Sequence, residues 1–125
     1  MLTDKGRELV AGTIFLNRSY SPEYLQFGLS LIKSNLSGVV REPQAGSYSR
    51  VVLRSDAFDY CDGTIYNNTN ITFPKPTEEW GIALSMFVAD DEGHIIMMSD
   101  LPTPKDIYIG RPPTIAYKAF RFQSN

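Results

Sequence analysis

The sequence predicts a mainly β fold, a single antiparallel β-sandwich or jelly-roll domain with a short N-terminal helix. About seven or eight short runs of strand character follow one another, separated by turns rich in Gly, Pro, Asp and Asn. In the clearest runs the apolar residues recur with a period of two, which places them on one sheet face. At 125 residues the chain is long enough to bury one hydrophobic core. We therefore expect a helical arm over residues 1–17 and a β-sandwich domain over residues 18–125.

The arm begins with a helix start signal. Thr3 can accept hydrogen bonds from the free amides of a first helical turn, and apolar residues follow at helical spacings of three and four. These apolar residues are Leu9, Val10, Ile14 and Phe15. Gly6 and Gly12 lower the helix propensity of the same segment. We expect the arm to be separable from the sheet and to make contacts outside the domain.

The first half of the domain predicts strands and one long loop. Over residues 24–31, large apolar residues alternate with Gln, Gly and Ser, as in a half-buried strand. Residues 33–49 are polar and lack apolar periodicity, which predicts a long loop able to fold over a neighbouring subunit. Strand character resumes at residues 50–54. Residues 55–70 suggest two short strands around an Asp-Gly turn.

The strand with the strongest pattern lies between Gly81 and Asp90. Large aliphatic residues alternate there with others that are also fairly apolar, so we expect a central strand covered on both faces. The side chains predicted to face the core are Ile82, Leu84, Met86 and Val88. A hairpin turn is expected at residues 90–93, because Gly93 can supply the positive φ that such turns need.

Prolines are expected to mark the remaining strand ends, because proline lacks the amide that continues a β-ladder. Pro74 and Pro76 should end one strand, and Pro102 and Pro104 should separate two others. The strands predicted in this half of the chain are residues 71–73, 94–98, 105–109 and 114–122.

Composition argues against nucleic-acid-binding, membrane and disulfide-rich classes. The net charge is -2, and Lys and Arg are scattered instead of forming a basic face that neutralises phosphates. No stretch approaches the roughly 20 apolar residues of a membrane span, and the first residues lack a signal-peptide pattern. Cys61 is the single cysteine, so no intrachain disulfide is expected, which suits assembly in a reducing cytoplasm.

No residue pattern predicts chemistry. Asp56, Asp59 and Asp62 recur at intervals of three, whereas a calcium loop needs ligands at alternate positions and a distal glutamate, so we expect a polar loop. His94 is the only histidine, which argues against a zinc site built from a His/Cys cluster. No serine lies in a G-x-S-x-G elbow, and Cys61 has no catalytic signature. We expect no catalytic residues, no metal and no cofactor.

Four aromatic residues near turns or strand ends offer flat apolar faces on which a sugar could stack. They are Tyr48, Tyr60, Tyr66 and Trp80. Aromatic side chains at such positions commonly cover the edge of a core. Packing is therefore the favoured interpretation, and carbohydrate binding is the alternative.

A series of landmarks extends over nearly the whole chain. The landmarks are residues 2–6, 27–30, 45–51, 71–74, 80–81, 82–90 and 101–110. Their order and spacing resemble a family of small tailed-bacteriophage virion proteins, usually labelled tail-fibre-like. The family-signature residues are Gly46, Tyr48, Arg50, Phe73, Pro74, Trp80, Gly81, Pro104 and Lys105. Residues 55–68 and 111–113 depart from the family pattern, so we expect their contacts to be particular to this protein.

The resemblance implies a β-rich structural component of the virion, assembled in the bacterial host cytoplasm, without catalytic residues or cofactors. A domain of 125 residues is short for a fibre with its own repetitive shaft, whereas it suits a cement protein at junctions between capsid subunits. We therefore place capsid cement or decoration first. A tail fibre, baseplate or neck component is the second hypothesis, and a host-glycan-binding module is the third.

The expected partners are other virion proteins, first among them the major capsid protein, with no nucleic acid and no membrane. Virion proteins occupy symmetry-related sites, and a small domain gains avidity when several copies engage together, so we expect a homotrimer. The arm of residues 1–17 and the loop of residues 33–49 are the segments expected to make these contacts.

Overall fold

The computed structural model describes residues 1–17 and 19–123. Within these ranges the chain forms one α-helix and nine β-strands, which confirms the mainly β prediction. In chain order the elements are α1 (Asp4–Phe15), β1 (Leu25–Ser30), β2 (Val51–Leu53), β3 (Phe58–Cys61), β4 (Thr64–Asn67), β5 (Ile71–Thr72), β6 (Gly81–Ala89), β7 (Ile95–Ile107), β8 (Thr114–Ile115) and β9 (Arg121–Gln123). A short 3-10 turn at Ser55–Ala57 precedes β3.

The strands form three antiparallel sheets. The largest has the order β2-β1-β6-β7, the second has the order β3-β4-β9, and β5 pairs with β8 in the third. These pairings confirm the antiparallel part of the predicted fold class. The face-to-face arrangement of a true sandwich stays a prediction.

One hydrophobic core joins the three sheets. The ring of Phe27, on β1, lies 5.3 Å from the ring of Phe120 and 6.2 Å from that of Phe73, centroid to centroid. Ile71 and Ile115 pair across β5 and β8 and are buried in the same core. Since each aromatic pair adds about 0.5–1.5 kcal/mol beyond its buried area, these rings hold together segments far apart in sequence.

The first turn of α1 is attached to β7. Thr3 caps the helix as predicted, because its hydroxyl accepts a hydrogen bond from the Gly6 amide at 3.1 Å. The Thr3 amide donates to the carbonyl of Ile96 at 3.0 Å. A Cβ atom on Gly6 would lie 2.2 Å from that same carbonyl oxygen, so the close approach requires glycine. The first turn is therefore hydrogen-bonded to the sheet, and the division into an arm and a domain stays a prediction.

Leu9 of α1 is half-buried and packs against the main core, whereas the later apolar residues of the helical segment are exposed. Val10, Ile14 and Phe15 are 41, 67 and 79 % exposed, and Leu16, which ends the helix, is 60 % exposed. The buried residues of the helix are Gly6 and Gly12. An ordinary amphipathic surface helix turns its apolar stripe to the core, whereas in α1 only Leu9 among the large apolar residues packs there. We call Val10, Ile14 and Phe15 the outer helix face.

The loop of residues 33–49 covers its own domain. The Ser34 amide donates to the Asp100 carboxylate at 2.7 Å, and the Leu31 amide donates to the Arg41 carbonyl at 2.8 Å. Backbone groups in this loop thus find partners within the chain. The loop is thus held on its own domain, and a contact with a neighbouring subunit stays a prediction.

A bulge in β7, opposite Leu84 of β6, accompanies a change in which β6 residues face the core. On either side of Leu84 the partner on β7 changes from Lys105 to Asp100, so a stretch of β7 stands opposite one residue. The main-core residues of β6 are Ala83, Met86 and Val88. Ile82 is 52 % exposed, so its predicted core position is wrong, and Leu84 is only half-buried. The predictions for Met86 and Val88 are confirmed.

Beyond the bulge β6 is covered on both faces, as predicted. Phe87 and Ala89 are fully buried together with Met98, on the face opposite the main core. Val40, from the loop of residues 33–49, and Ile95 cover this second cluster. The loop therefore supplies part of the cover that a central strand requires.

Prolines do not interrupt β7, which runs from Ile95 to Ile107 through Pro102 and Pro104. β7 lies at the edge of its sheet, and its prolines lie in the bulged stretch, so neither removes a ladder hydrogen bond. The prediction of separate strands at 94–98 and 105–109 is therefore wrong.

Two of the predicted hairpin turns are confirmed. Asp62 and Gly63, both with positive φ, connect β3 to β4, and Gly93 has φ 90° in the turn between β6 and β7. The strand predicted over residues 114–122 is instead divided into β8 and β9 by a turn at residues 116–120.

Candidate functional site

The signature residues Tyr48 and Arg50 meet at Glu42, a residue that the sequence did not single out. Arg50 donates from Nε to Glu42 Oε1 at 2.9 Å and from Nη2 to Oε2 at 3.0 Å. The Tyr48 hydroxyl donates to Glu42 Oε1 at 2.7 Å and accepts from the Leu29 amide at 3.2 Å. The Arg50 guanidinium also lies 5.1 Å from the ring centroid of Phe87. This network connects the loop of residues 33–49 to β1, β2 and β6.

Hydrogen bonds and burial set the protonation states of Glu42, Arg50 and Tyr48. Burial by itself raises the pKa of the Glu42 carboxyl, but the hydrogen bonds from Arg50 and Tyr48 outweigh it and leave that pKa lowered. The hydrogen bond to Glu42 raises the pKa of Arg50. Burial, followed by the hydrogen bond to Glu42, raises the pKa of Tyr48. Glu42 and Arg50 are thus a charged pair and Tyr48 is neutral, which describes a structural link and not an acid-base pair.

Tyr48 and Trp80 pack within the domain instead of presenting a sugar-binding surface. The Tyr48 ring meets the Trp80 ring edge to face at 5.2 Å and stacks on Phe73 at 6.3 Å. Trp80 is only 3 % exposed, and its indole nitrogen donates to the Ser47 hydroxyl at 2.9 Å. For these two aromatics the packing interpretation is confirmed.

Three other signature residues shape the backbone around this cluster. The Gly46 amide donates to Glu78 Oε1 at 2.9 Å. Gly81 has φ 99°, a conformation that other residues rarely adopt, where the chain enters β6. Pro74 is exposed and follows the buried Phe73, after the end of β5. A hydrogen bond thus explains the position of Gly46, and a positive φ explains why glycine is found at residue 81.

The remaining signature residues, Pro104 and Lys105, line a different surface in the bulged stretch of β7. Lys105 donates from Nζ to the Thr114 carbonyl at 3.4 Å. The shallow groove here has a volume of about 390 Å³, and its lining residues are Leu101, Pro102, Thr103, Pro104, Lys105, Thr114, Ile115, Ala116 and Ala119. Lys105 is the one charged side chain in this lining, so the groove lacks the convergent polar groups of an active site.

The hairpin turn between β6 and β7 is built on Asp90, which is 1 % exposed. Its Oδ1 accepts hydrogen bonds from the amides of Glu92 and His94 at 3.0 and 2.8 Å. Its Oδ2 accepts from the Tyr20 hydroxyl at 3.0 Å and lies 3.0 Å from Nδ1 of His94. Burial by itself raises the pKa of Asp90, but the hydrogen bonds with His94 and Tyr20 leave it lowered.

The same turn contains a group with the chemistry of metal ligands. Among the residues that the structure describes, Asp90, Glu92 and His94 place ligand atoms within 4.8 Å of one another. Both Asp90 oxygens already have protein partners, so the arrangement is explained by the turn itself. Asp56 lies on a 3-10 turn, Asp59 in β3 and Asp62 in the β3–β4 turn, so the prediction of one polar loop is wrong for this segment.

Tyr66, another of the sugar-binding candidates, lies in a cluster of side chains that the sequence analysis did not predict. Tyr66 and Tyr117 meet edge to face at 6.3 Å, and the Lys118 ammonium lies 5.0 and 5.4 Å from the two ring centroids. Tyr60, 70 % exposed, is on the opposite face of the same sheet. No sequence pattern predicted that Tyr117 and Lys118 contact Tyr66, because β4 and the turn at residues 116–120 are about fifty residues apart.

Comparison with protein families gave one match. A family model described as "Podophage GP4 fiber I protein gp80" matches residues 10–123, a range that includes all nine signature residues and the outer helix face. This description agrees with the tail-fibre-like family that the landmarks resemble. A comparison with curated proteins gave no match. No helix in the described ranges is both long and apolar enough to cross a membrane.

Proposed function

Since the chain belongs to the podophage GP4 fiber I protein (gp80) family, we propose that it is a small tail-fibre subunit that binds copies of itself through the outer helix face. Membership makes the chain a structural component of the virion and not an enzyme. The family favours the tail component, the second hypothesis from the sequence, over capsid cement, the first. The preference for capsid cement was based on chain length and assumed that a fibre subunit carries its own shaft. A short domain can instead be one subunit of a fibre that is built from several chains.

The observation that carries the proposal is the outer helix face. Val10, Ile14 and Phe15 lie in the second half of α1 and all are exposed. Removing a large apolar side chain from water contributes about 1.5–3 kcal/mol, so an apolar surface of this kind favours association. Contiguous exposed apolar patches in soluble proteins typically mark interaction sites.

A second copy of the chain is the partner that fits this face best. The hydrogen bond of Thr3 and the close approach of Gly6 set the position of α1 on β7, so every copy presents the face in the same orientation. Identical apolar faces can pack around a rotation axis and cover one another. We infer a homotrimer, in which three helices bury their outer faces. Other fibre and tail proteins are the further partners that this assembly implies.

The test is the mass of the assembly in solution. Ile14→Lys and Phe15→Lys each place a charge on the outer helix face without altering the docked first turn. Val39→Lys is a matched control, because Val39 is 57 % exposed and lies in the loop of residues 33–49. Light scattering after size exclusion should give three chain masses for the wild type and the control, and one for the two helix variants.

Thermal unfolding of each variant checks that the fold survives. A wild type that runs as a monomer at all concentrations would contradict the proposal. So would a trimer that persists in both helix variants with unchanged melting.

A further inference from the structure

We propose that Tyr66, Tyr117, Lys118 and Arg121 form a binding site for an acidic saccharide, a sugar ring that carries a carboxylate. We call these four residues the tyrosine-lysine patch. The proposal concerns the isolated domain and does not depend on where the subunit lies in the fibre.

The patch has the shape of a corner. The rings of Tyr66 and Tyr117 are inclined at 87° with centroids 6.3 Å apart, and the Lys118 ammonium lies against both. In the part of the chain that the structure describes, this ammonium has no hydrogen bond or ion pair with a protein oxygen. Its N–H groups are available to a ligand that also contacts the rings.

The backbone of Lys118 supports a role for its side chain. Lys118 has φ 63°, a left-handed conformation that an ordinary L-residue rarely adopts and that glycine adopts freely. Its amide donates to the Asn67 carbonyl at 3.0 Å, and its carbonyl accepts from Arg121 Nε at 3.0 Å. A lysine held at a position that suits glycine indicates that the charged side chain is used there.

Asn67 fixes the turn that carries the patch. This side chain is fully buried and donates from Nδ2 to the carbonyls of Thr69 and Ala116, both at 2.8 Å. Its Oδ1 accepts from the Phe120 amide at 3.0 Å. The turn at residues 116–120 is therefore held in place before any ligand arrives, which reduces the entropy that binding must offset.

The charges around the patch favour an anion. Arg121 is the cross-strand partner of Tyr66, so the two side chains share one face of the sheet. Asp59 pairs with Tyr66 on the other side, and its carboxylate accepts a hydrogen bond from Asn68 at 3.3 Å. No described carboxylate forms a salt bridge with either cation of the patch.

An acidic sugar matches this combination of groups. Its C–H face can stack on a tyrosine ring, while its carboxylate accepts charge-assisted hydrogen bonds from Lys118 and Arg121. A neutral sugar would leave the Lys118 ammonium without an anionic partner and Arg121 with only its hydrogen bond to the Lys118 carbonyl. A nucleic acid strand would require a longer basic track than two residues supply on a chain of net charge -2.

The test is calorimetric titration of the full chain with a galacturonate trisaccharide, a neutral galactose trisaccharide and glucose 6-phosphate. The galacturonate trisaccharide should bind at least tenfold more tightly than either of the others. Lys118→Asn and Tyr117→Ala should each weaken that binding at least tenfold. Asparagine tolerates the left-handed conformation, so Lys118→Asn keeps the turn. Lys33→Asn, which removes an exposed lysine elsewhere, should leave the affinity unchanged.

Several results would overturn the proposal. These are no binding of the galacturonate trisaccharide to the wild type, equal weakening by Lys33→Asn and Lys118→Asn, or equal binding of glucose 6-phosphate. If Tyr117→Ala melts early, Arg121→Gln replaces it and unchanged binding in that variant would contradict the site. Failure here leaves the trimer proposal intact, since that proposal is tested by mass.

Discussion

Gly28 and Phe87 pair across β1 and β6, and the phenyl ring fills the space that the glycine leaves. A Cβ atom on Gly28 would lie 2.2 Å from Cζ of that ring. The Arg50 guanidinium also lies against the ring, and Glu42 holds Arg50 in place. The glycine is therefore a packing requirement within a strand, and it supports the Glu42 network indirectly.

Replacing Gly28 by alanine should overpack this contact. Because the Phe87 ring is fully buried and cannot swing into solvent, we expect Gly28→Ala to lower the free energy of unfolding by about 1–3 kcal/mol. Gly46→Ala is the control, since its nearest neighbour atom would be an exposed Glu78 oxygen at 3.7 Å. It should change stability by less than about 0.5 kcal/mol in urea unfolding. Equal effects of the two substitutions would contradict the packing account.

The lowered pKa values of Glu42 and Asp90 predict a loss of stability in acid. A carboxyl whose pKa is lower in the folded state contributes stability above its unfolded pKa, and loses it as pH falls through the folded pKa. For Glu42 the loss should therefore begin below the ordinary value of 4.5. Urea midpoints between pH 3 and 7 should fall less steeply in Glu42→Gln than in the wild type. The exposed Glu79→Gln should behave like the wild type, and parallel curves for all three would refute the prediction.

Among the elements, β6 illustrates what local sequence can and cannot predict. Its strand character and its two apolar faces follow from the alternation of side chains alone. The bulge opposite Leu84 does not, because it arises where residues 101–104 of β7 stand opposite one residue of β6, and no pattern within β6 reveals it. For the same reason the sequence placed Ile82 in the core and overlooked Ala83.

The bulge predicts unequal costs for two truncations on one strand. Val88→Ala should lower the free energy of unfolding by roughly 2 kcal/mol, because it removes two fully buried methyl groups and leaves a cavity. Ile82→Ala removes more carbon from an exposed side chain and should cost less than about 1 kcal/mol. Denaturant titration of both variants gives the comparison. A larger loss for Ile82→Ala would mean that the faces of β6 are assigned incorrectly.

The helix shows a second limit of sequence patterns. The Thr3 cap was predicted because it depends on residues three positions apart. The orientation of α1 was not, since Gly6 and Gly12, which appeared only to weaken the helix, are its buried residues. The tyrosine-lysine patch was missed for a similar reason, because Asn67 joins segments about fifty residues apart.

At the scale of the whole molecule, the helix contributes to the fold as well as to the proposed assembly. Deleting residues 1–17 removes the Thr3 hydrogen bonds to β7, so we expect a lower melting temperature and not only weaker association. Ile14→Lys should retain the wild-type melting temperature of the isolated domain while abolishing the trimer. Differential scanning calorimetry of both variants at low concentration separates the two effects. A deletion variant that melts like the wild type would show that α1 is independent of the sheet.

The sequence established the class of protein more firmly than its assembly. Landmarks spread from residue 2 to residue 110 led to the tail-fibre-like family, and the matched range of 10–123 supports the same assignment. The signature residues around Tyr48 and Arg50 proved to be a structural network, whose partner Glu42 has no local pattern. Partner surfaces depend on which side chains remain exposed, which only the folded chain reveals.

Cryo-electron microscopy of purified virions that contain this protein tests the central claim most directly. The account predicts density for three copies of the domain on the tail fibre, with α1 of each copy facing the others at the symmetry axis. Density for the domain on the capsid lattice, or copies on the fibre whose outer helix faces are exposed to solvent, would contradict it.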